Sequence, residues 1–341
     1  MLATIVRPYV LAQGANPVAS SPAVATSTGD FAAIAKLIGS GQDAKALDRL
    51  ATLRSLQPAT PTLDRLQGDA LYDLNRLPEA AAAYGRALAS DPQDGEAAQM
   101  RGLTLFRIGR PGEAIPLLEV NHAAGAQNKA DPTYVLALCY MDTLHYDEAR
   151  HAFAAQFGFA ADSASAYLLA ARMLLRREYL PIAQQYAEKA IALDSHLPLG
   201  HELLGEIALA QNRLEVTVSE FEQERAADPL EGMTYERLGD AYSRMGRYAD
   251  ANRVLQQAVL LEPHATGPYI LLGKVLLKQN QPVGAMNFLQ KAEEMDPANY
   301  MTHGLLAHAY QLLGRPGDAS RELQLTEKIQ AADVPKINTP Q

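Results

Sequence analysis

The dipeptides Asp228-Pro229, Glu262-Pro263 and Asp296-Pro297 follow one another at intervals of 34 residues. A Leu-Gly pair keeps the same beat at Leu204-Gly205, Leu238-Gly239 and Leu272-Gly273, and Leu306-Ala307 continues it. An alanine stands twelve residues after the small member of the later pairs, at Ala251, Ala285 and Ala319. Repetition at such a period means that one supersecondary unit is copied along the chain, and this outranks any local reading. Carried backwards, the frame gives repeats starting at 198, 164 and 130. One extra residue is needed before 130, in the Gly125–Lys129 loop, and the frame then continues at 95, 61 and 27. The units are 27–60, 61–94, 95–129, 130–163, 164–197, 198–231, 232–265, 266–299 and 300–333.

Each unit reads as two short helices. In the repeat at 232 a first apolar stripe runs Tyr235, Leu238, Gly239, Tyr242, with Met245 beyond it. A second runs Ala251, Leu255, Ala258, Val259. Steps of three and four belong to helices, whereas a half-buried strand alternates. Turns fall at Asn75-Arg76, Gly109-Arg110, Gln211-Asn212, Gly246-Arg247, Asn280-Gln281 and Gly314-Arg315, where Gly and small polar residues break the pattern. The Asp-Pro closes a pair, because proline clashes with a continuing helix yet suits the first turn of the next. One such pair cannot bury its apolar face; a stack of them can, through contacts between neighbours.

This period and pattern resemble the tetratricopeptide repeat family. The small residue of the first helix stands at Gly68, Gly102, Ala137, Ala171, Gly205, Gly239, Gly273 and Ala307, with Ile34 departing. The alanine opening the second helix is Ala46, Ala80, Ala114, Ala149, Ala183, Ala251, Ala285 or Ala319, with Thr217 the exception. The large residue four further on is Leu50, Tyr84, Leu118, Phe153, Phe221, Leu255, Leu289 or Leu323, Ala187 deviating. The closing proline is present at Pro58, Pro92, Pro229, Pro263 and Pro297. Gln67 and Arg101 replace the usual leucine, and the first unit, which matches least, reads as a cap. The resemblance implies an all-α fold, an α-solenoid in which helix-turn-helix units wind into a right-handed superhelix.

Composition limits the alternatives. With 39 acidic and 30 basic side chains the net charge is −9, which argues against nucleic acid as partner, since phosphate binding needs concentrated basic surface. The single Cys139 excludes an internal disulfide framework and multi-cysteine metal sites. No apolar run approaches the ~18 residues of a membrane-spanning helix, so no membrane insertion is expected. Gly109-Arg110-Pro111-Gly112 lacks the lysine and the preceding strand of a phosphate loop. His196 and His201, like His303 and His308, are five apart, which does not put two imidazoles on one helix face. No enzyme activity, cofactor or metal is expected, and Cys139 reads as a buried, inert thiol.

Residues 1–26, rich in Ala, Ser, Pro and Thr, read as a linker. Ala23-Val24-Ala25 resembles a leader-peptide cleavage site, but nothing basic precedes Arg7 and Arg7-Pro8 interrupts the apolar run. The cytoplasm is favoured over export, which a start upstream of Met1 would reopen. Residues 334–341 read as a frayed tail.

The resemblance further implies that the first helices line a concave groove, with repeat positions 2, 5, 9, 12 and 13 facing a partner. Those positions are occupied by Arg65, Asp69, Tyr72, Asp73, Gln99, Leu103, Phe106 and Arg107 in the repeats at 61 and 95. The next two repeats supply Tyr134, Leu138, Met141, Asp142, Leu168, Arg172, Leu175 and Arg176. Later repeats supply Glu202, Glu206, Glu236, Asp240, Arg244, Ile270, Lys274, Lys278 and His308. An apolar centre, Phe106, Tyr134, Leu138, Met141 and Leu168, flanked by Arg172 and Arg176, has the composition of a peptide-binding hot spot for an acidic ligand. The competing reading is that these side chains pack between neighbouring first helices. Position 9 carries no Asn, so the carboxylate clamp by which some family members hold chaperone tails is not reproduced. The leading expectation is a noncatalytic scaffold that binds a peptide or helix of another protein. The alternatives are a structural assembly protein using convex faces or ends, and a regulatory arm recruiting a separate enzyme; oligomeric state stays open.

Overall fold

The computed structural model describes residues 22–56, 60–123 and 132–333. They form eighteen α-helices and, among the described residues, no strand. The chain divides into two compact units, Met1–Asp162 and Ser163–Gln341.

The first unit holds four pairs: α1 (Pro22–Gly39) with α2 (Asp43–Leu56), α3 (Pro61–Asp73) with α4 (Leu77–Ser90), α5 (Gly95–Arg107) with α6 (Pro111–Ala123), and α7 (Thr133–Asp142) with α8 (Tyr146–Phe157). The second begins with α9 (Ala164–Arg176) and α10 (Leu180–Leu193), α11 (Gly200–Ala210) and α12 (Leu214–Ala227). It continues through α13 (Gly232–Arg244) and α14 (Tyr248–Leu261), α15 (Thr266–Lys278) and α16 (Pro282–Met295), α17 (Tyr300–Leu312) and α18 (Pro316–Asp333). Within each unit every helix packs on the next, and first helices of adjacent repeats also touch: α3 on α5, α5 on α7, α9 on α11, α13 on α15, α15 on α17. That is the nearest-neighbour architecture of an all-α solenoid.

The helix crossings explain the small residues. A Cβ added to Gly239 would lie 2.4 Å from Leu255 Cδ2, and one added to Gly273 would lie 2.4 Å from Leu289 Cγ. The small residue of the first helix thus receives the large residue of the second within its own repeat. Leu50, Tyr84, Leu118, Phe153, Phe221, Leu255 and Leu289 are all essentially buried. In the first repeat Ile34 and Leu50 instead join Ile38, Ala46 and Leu63 in one cluster.

The turns repeat as closely as the crossings. The second residue after each first helix adopts positive φ: Gly41, Asn75, Gly109, Leu144, Glu178, Asn212, Gly246, Asn280 and Gly314. At Leu144 and Glu178 an ordinary side chain occupies a conformation that glycine and asparagine tolerate better.

Helix α1 starts at Pro22, so the last residues of the segment expected to be a linker are helical. The rest of that segment, the closing Pro58, the 125–129 insertion and the 334–341 tail lie outside the described residues.

Candidate functional site

The groove positions lie along the first helices, whose α3–α5–α7 and α9–α11, α13–α15–α17 contacts place them side by side within their units. Arg65, Tyr72, Leu103, Phe106, Arg107, Tyr134, Leu138 and Met141 belong to the first unit; Leu168, Arg172, Arg176 and Lys274 belong to the second.

In the first unit much of the expected anchor set is already engaged. Met141 is fully buried and Leu138 is 9% exposed, so neither offers contact area, contrary to the expectation from their repeat positions. Met141 sits one helical turn beyond Ala137, on the same helix face as that crossing residue. Leu103 and Phe106 pack half-buried on the Leu105–Leu118–Leu136–Cys139 cluster, and Tyr72 on the Leu71–Tyr84 cluster. Tyr134 is 37% exposed, with its ring edge-on to Phe153 at 5.7 Å. Cys139 is buried.

The arginines are occupied too. Arg65 pairs with Asp94 at 3.4 Å and with Glu96, tying one repeat to the start of the next. Arg107 donates to Asn75 Oδ1 at 2.9 Å and lies 4.8 Å over the Tyr72 ring. In the second unit Arg172 stands 3.7 Å from Glu202. Arg65 held this way is a poor receptor for an acidic ligand, because an incoming carboxylate has to displace the resident ones; Glu202 offsets the charge of Arg172 without a hydrogen bond to its Nη2. Arg176 is exposed, while Leu168 and Lys274 are half-buried.

Carboxylates dominate α11 and α13. Glu202 and Glu206 project from α11, Glu236 and Asp240 from α13, at repeat positions 5 and 9 in both. Arg172, Arg237 at 3.5 Å and Arg244 at 2.7 Å face Glu202, Glu206 and Asp240 respectively. Among the described residues no cation lies within ion-pair distance of Glu236. Its carboxylate rests on the first turn of α15, where a Cβ on Gly267 would meet Oε1 at 2.2 Å. Burial, with Glu262 and Asp240 nearby and Arg237 only partly opposing, holds Glu236 above the usual carboxylate range. Burial and the Glu206 charge push Glu202 the same way, against the pull of Arg172. The sequence contained these residues at groove positions, but not the fact that their counter-ions leave a net negative face.

A second cluster lies away from those positions. His303 of α17 is 2% exposed. Its Nε2 donates to the Pro297 carbonyl at 3.0 Å, and its Nδ1 stands 2.7 Å from Glu322 Oε2 and 3.9 Å from Glu293 Oε1. Burial disfavours the imidazolium, but the Pro297 carbonyl and the two carboxylates outweigh it and raise the pKa of His303. Burial and the Glu322 charge raise Glu293 as well. Reading histidines along one helix missed this cluster, because α16, α17 and α18 each contribute one side chain.

Paired helices in a 34-residue frame, crossing at a small residue and turning at a positive-φ residue, define a helical-repeat solenoid. Two models of the Tetratricopeptide repeat match the sequence, one over residues 65–128 and the other over 242–292 and 276–338. Over those residues the chain carries tetratricopeptide repeats, whose fold is generally noncatalytic and serves protein–protein interaction. No curated protein matches it. Similar solved structures include residues 41 to the end of MamA from Desulfovibrio magneticus RS-1, 20% identical, covering 51% of this chain and 98% of that one with a TM-score of 0.48. YrrB, described as a TPR protein with an unusual peptide-binding site, is 21% identical over 54% of this chain and 95% of its own, with a TM-score of 0.47. The Cut9–Hcn1 hetero-tetramer of the APC/C is 19% identical over 81% of this chain and 48% of that one, with a TM-score of 0.42. No described helix is long and apolar enough to cross a membrane.

Proposed function

We propose that the protein is a noncatalytic scaffold that holds a peptide or helix of a partner along its first helices, with the second unit as the binding face and a lysine- or arginine-bearing segment as the ligand. The observation that carries this is the placement of Glu202, Glu206, Glu236 and Asp240 at matching positions of two successive first helices, with Glu236 in no ion pair among the described residues. A cation arriving there relieves carboxylates that burial and like charge disfavour, and the charge complementarity favours encounter as well as register. Half-buried Leu204 in the same unit offers apolar area beside the charges, whereas Ile270 is buried. This replaces an acidic ligand, the partner expected from Arg172 and Arg176, because Arg172 already faces Glu202.

The test is fluorescence anisotropy with a labelled Lys/Leu-rich peptide and its Glu/Leu-rich counterpart. The basic peptide should bind in a salt-sensitive manner. Glu236→Lys with Asp240→Lys should weaken it about tenfold or more, because like charges then face each other. Lys189→Glu, on the exposed side of α10, should leave it unchanged. Preference for the acidic peptide, or binding indifferent to the Glu236/Asp240 pair, would overturn the reading.

One observation favours assembly through an end as a second reading. Leu323 occupies the position that is buried as Leu255 and Leu289, yet it is 43% exposed, and Leu325 beside it is 38% exposed. If that face joins copies together, light scattering should give a mass above the monomer that Leu323→Glu abolishes.

A further inference from the structure

We propose that Glu293, His303 and Glu322 form a binding site for a divalent transition-metal ion, assembled from three consecutive helices, α16, α17 and α18. Each side chain offers one ligand atom, and all three atoms lie within 4.8 Å of one another.

The carbonyl of Pro297 can only accept, so the 3.0 Å contact requires the proton on Nε2. In the neutral ring the remaining lone pair is then on Nδ1, the atom nearest both carboxylates. Ionised carboxylates are acceptors only. Three acceptor atoms therefore converge on one point, and a proton or a metal ion has to lie between them. A proton on Nδ1 satisfies the short Glu322 contact but leaves Glu293 at 3.9 Å, too far for a hydrogen bond. A metal ion engages all three. A ligating histidine commonly has its other ring nitrogen fixed by a backbone carbonyl in this manner, which sets the tautomer and aims the ring.

Donor type and spacing select the ion. One imidazole nitrogen with two carboxylate oxygens suits Zn²⁺ and its first-row neighbours, and offers too few oxygens for Ca²⁺. Bonds of about 2.1 Å place tetrahedral ligand atoms about 3.4 Å apart. The observed 2.7 and 3.9 Å straddle that value, so a modest swing of Glu293, whose side chain is 34% exposed, closes the site. Its exposure also leaves a path to solvent and a position for water.

The chain contains its own comparison. His201 and Glu220 occupy the same repeat positions three units earlier and make the same contact, at 2.8 Å. The residues equivalent to Glu293 and Pro297 are there Ile191 and Ser195. That pair lacks the third ligand, Ile191 standing in its place, and should bind no ion.

The experiment titrates the metal-free full-length protein with Zn²⁺ against a chromophoric chelator, and with Co²⁺ by visible absorption, at mildly alkaline pH. The wild type should take up one ion at this site. His303→Gln and Glu293→Gln should each weaken uptake by at least about tenfold, the low end of what even outer-shell changes cause. His201→Gln should match the wild type. Glu293→Gln, at a part-exposed position, keeps the test readable if His303→Gln unfolds. Absence of saturable Zn²⁺ uptake by the wild type would mean that the proton alone fills the position and would overturn the proposal. Uptake undiminished in Glu293→Gln would overturn it equally.

Discussion

The hydroxyl of Tyr235 donates a 3.0 Å hydrogen bond to the carbonyl oxygen of Pro229. One period later Tyr269 does the same to Pro263 at 3.1 Å, and after another His303 Nε2 does so to Pro297. The closing proline therefore does more than end a helix pair, since its carbonyl receives the first helix of the next repeat. Removing the donor leaves that acceptor unpaired at a buried seam, a loss of about 1 kcal/mol. Tyr235→Phe and Tyr269→Phe should each lower the urea unfolding free energy by roughly that amount. No change in either would mean that water replaces the hydroxyl at no cost.

The helix crossings make a steeper prediction. Gly239→Leu and Gly273→Leu each drive a side chain into Leu255 or Leu289 at separations no packed carbon tolerates. Each should cost about 1–3 kcal/mol by overpacking, read from chemical denaturation. Ala251→Leu, fully buried at the opening of α14, should behave alike. Neutral outcomes at all three positions would contradict the assigned crossing geometry.

The turns predict a gain. Glu178 holds φ at 61° and Leu144 at 65°, where a side chain meets the following carbonyl at a cost of roughly 1–2 kcal/mol. Glycine removes that cost but widens the unfolded ensemble. Glu178→Gly should therefore stabilise by about 0.5–1 kcal/mol, visible as a higher thermal midpoint. A lower midpoint would show that Glu178 makes contacts worth more than its strain.

These positions show what the sequence could convey. The repeat frame was legible because a crossing admits few side chains: Gly239 and Leu255 identify themselves by size alone. Turns at Asn75, Gly109, Asn212, Gly246, Asn280 and Gly314 were legible because their residue types match positive φ. Leu144 and Glu178 were silent, since only the period, not their chemistry, places them in the same conformation. Groove membership was harder. Met141 and Tyr134 both sit at lining positions, yet one is fully buried and the other 37% exposed. Likewise nothing in the order of residues indicates that Arg65 reaches Asp94 and Glu96, or that α16 brings Glu293 to His303. Charge pairing is a property of neighbouring repeats, whereas a motif is read within one.

The acidic face should also leave a signature in the pH dependence of stability. Burial, then Glu262 and Asp240 against the opposing Arg237, raises the pKa of Glu236 in the folded protein. Below the ordinary glutamate value both folded and unfolded states carry the proton, and the residue has no effect. As pH climbs from that value towards the raised one, the unfolded state ionises first, so stability is lost across the window and stays lost above it. Glu236→Gln removes the ionisation while keeping the shape. The variant should unfold at higher urea than the wild type at neutral pH, and the difference should vanish near pH 4, about the ordinary glutamate pKa. Glu202→Gln should follow the same course, since burial and Glu206 raise Glu202 despite Arg172. A basic peptide that binds this face should shrink the Glu236→Gln advantage, because the bound cation favours the ionised carboxylate. If Glu236→Gln instead destabilises the protein at neutral pH, Arg237 and the first turn of α15 hold the charge more strongly than burial opposes it, and the face has no surplus of negative charge to offer a partner.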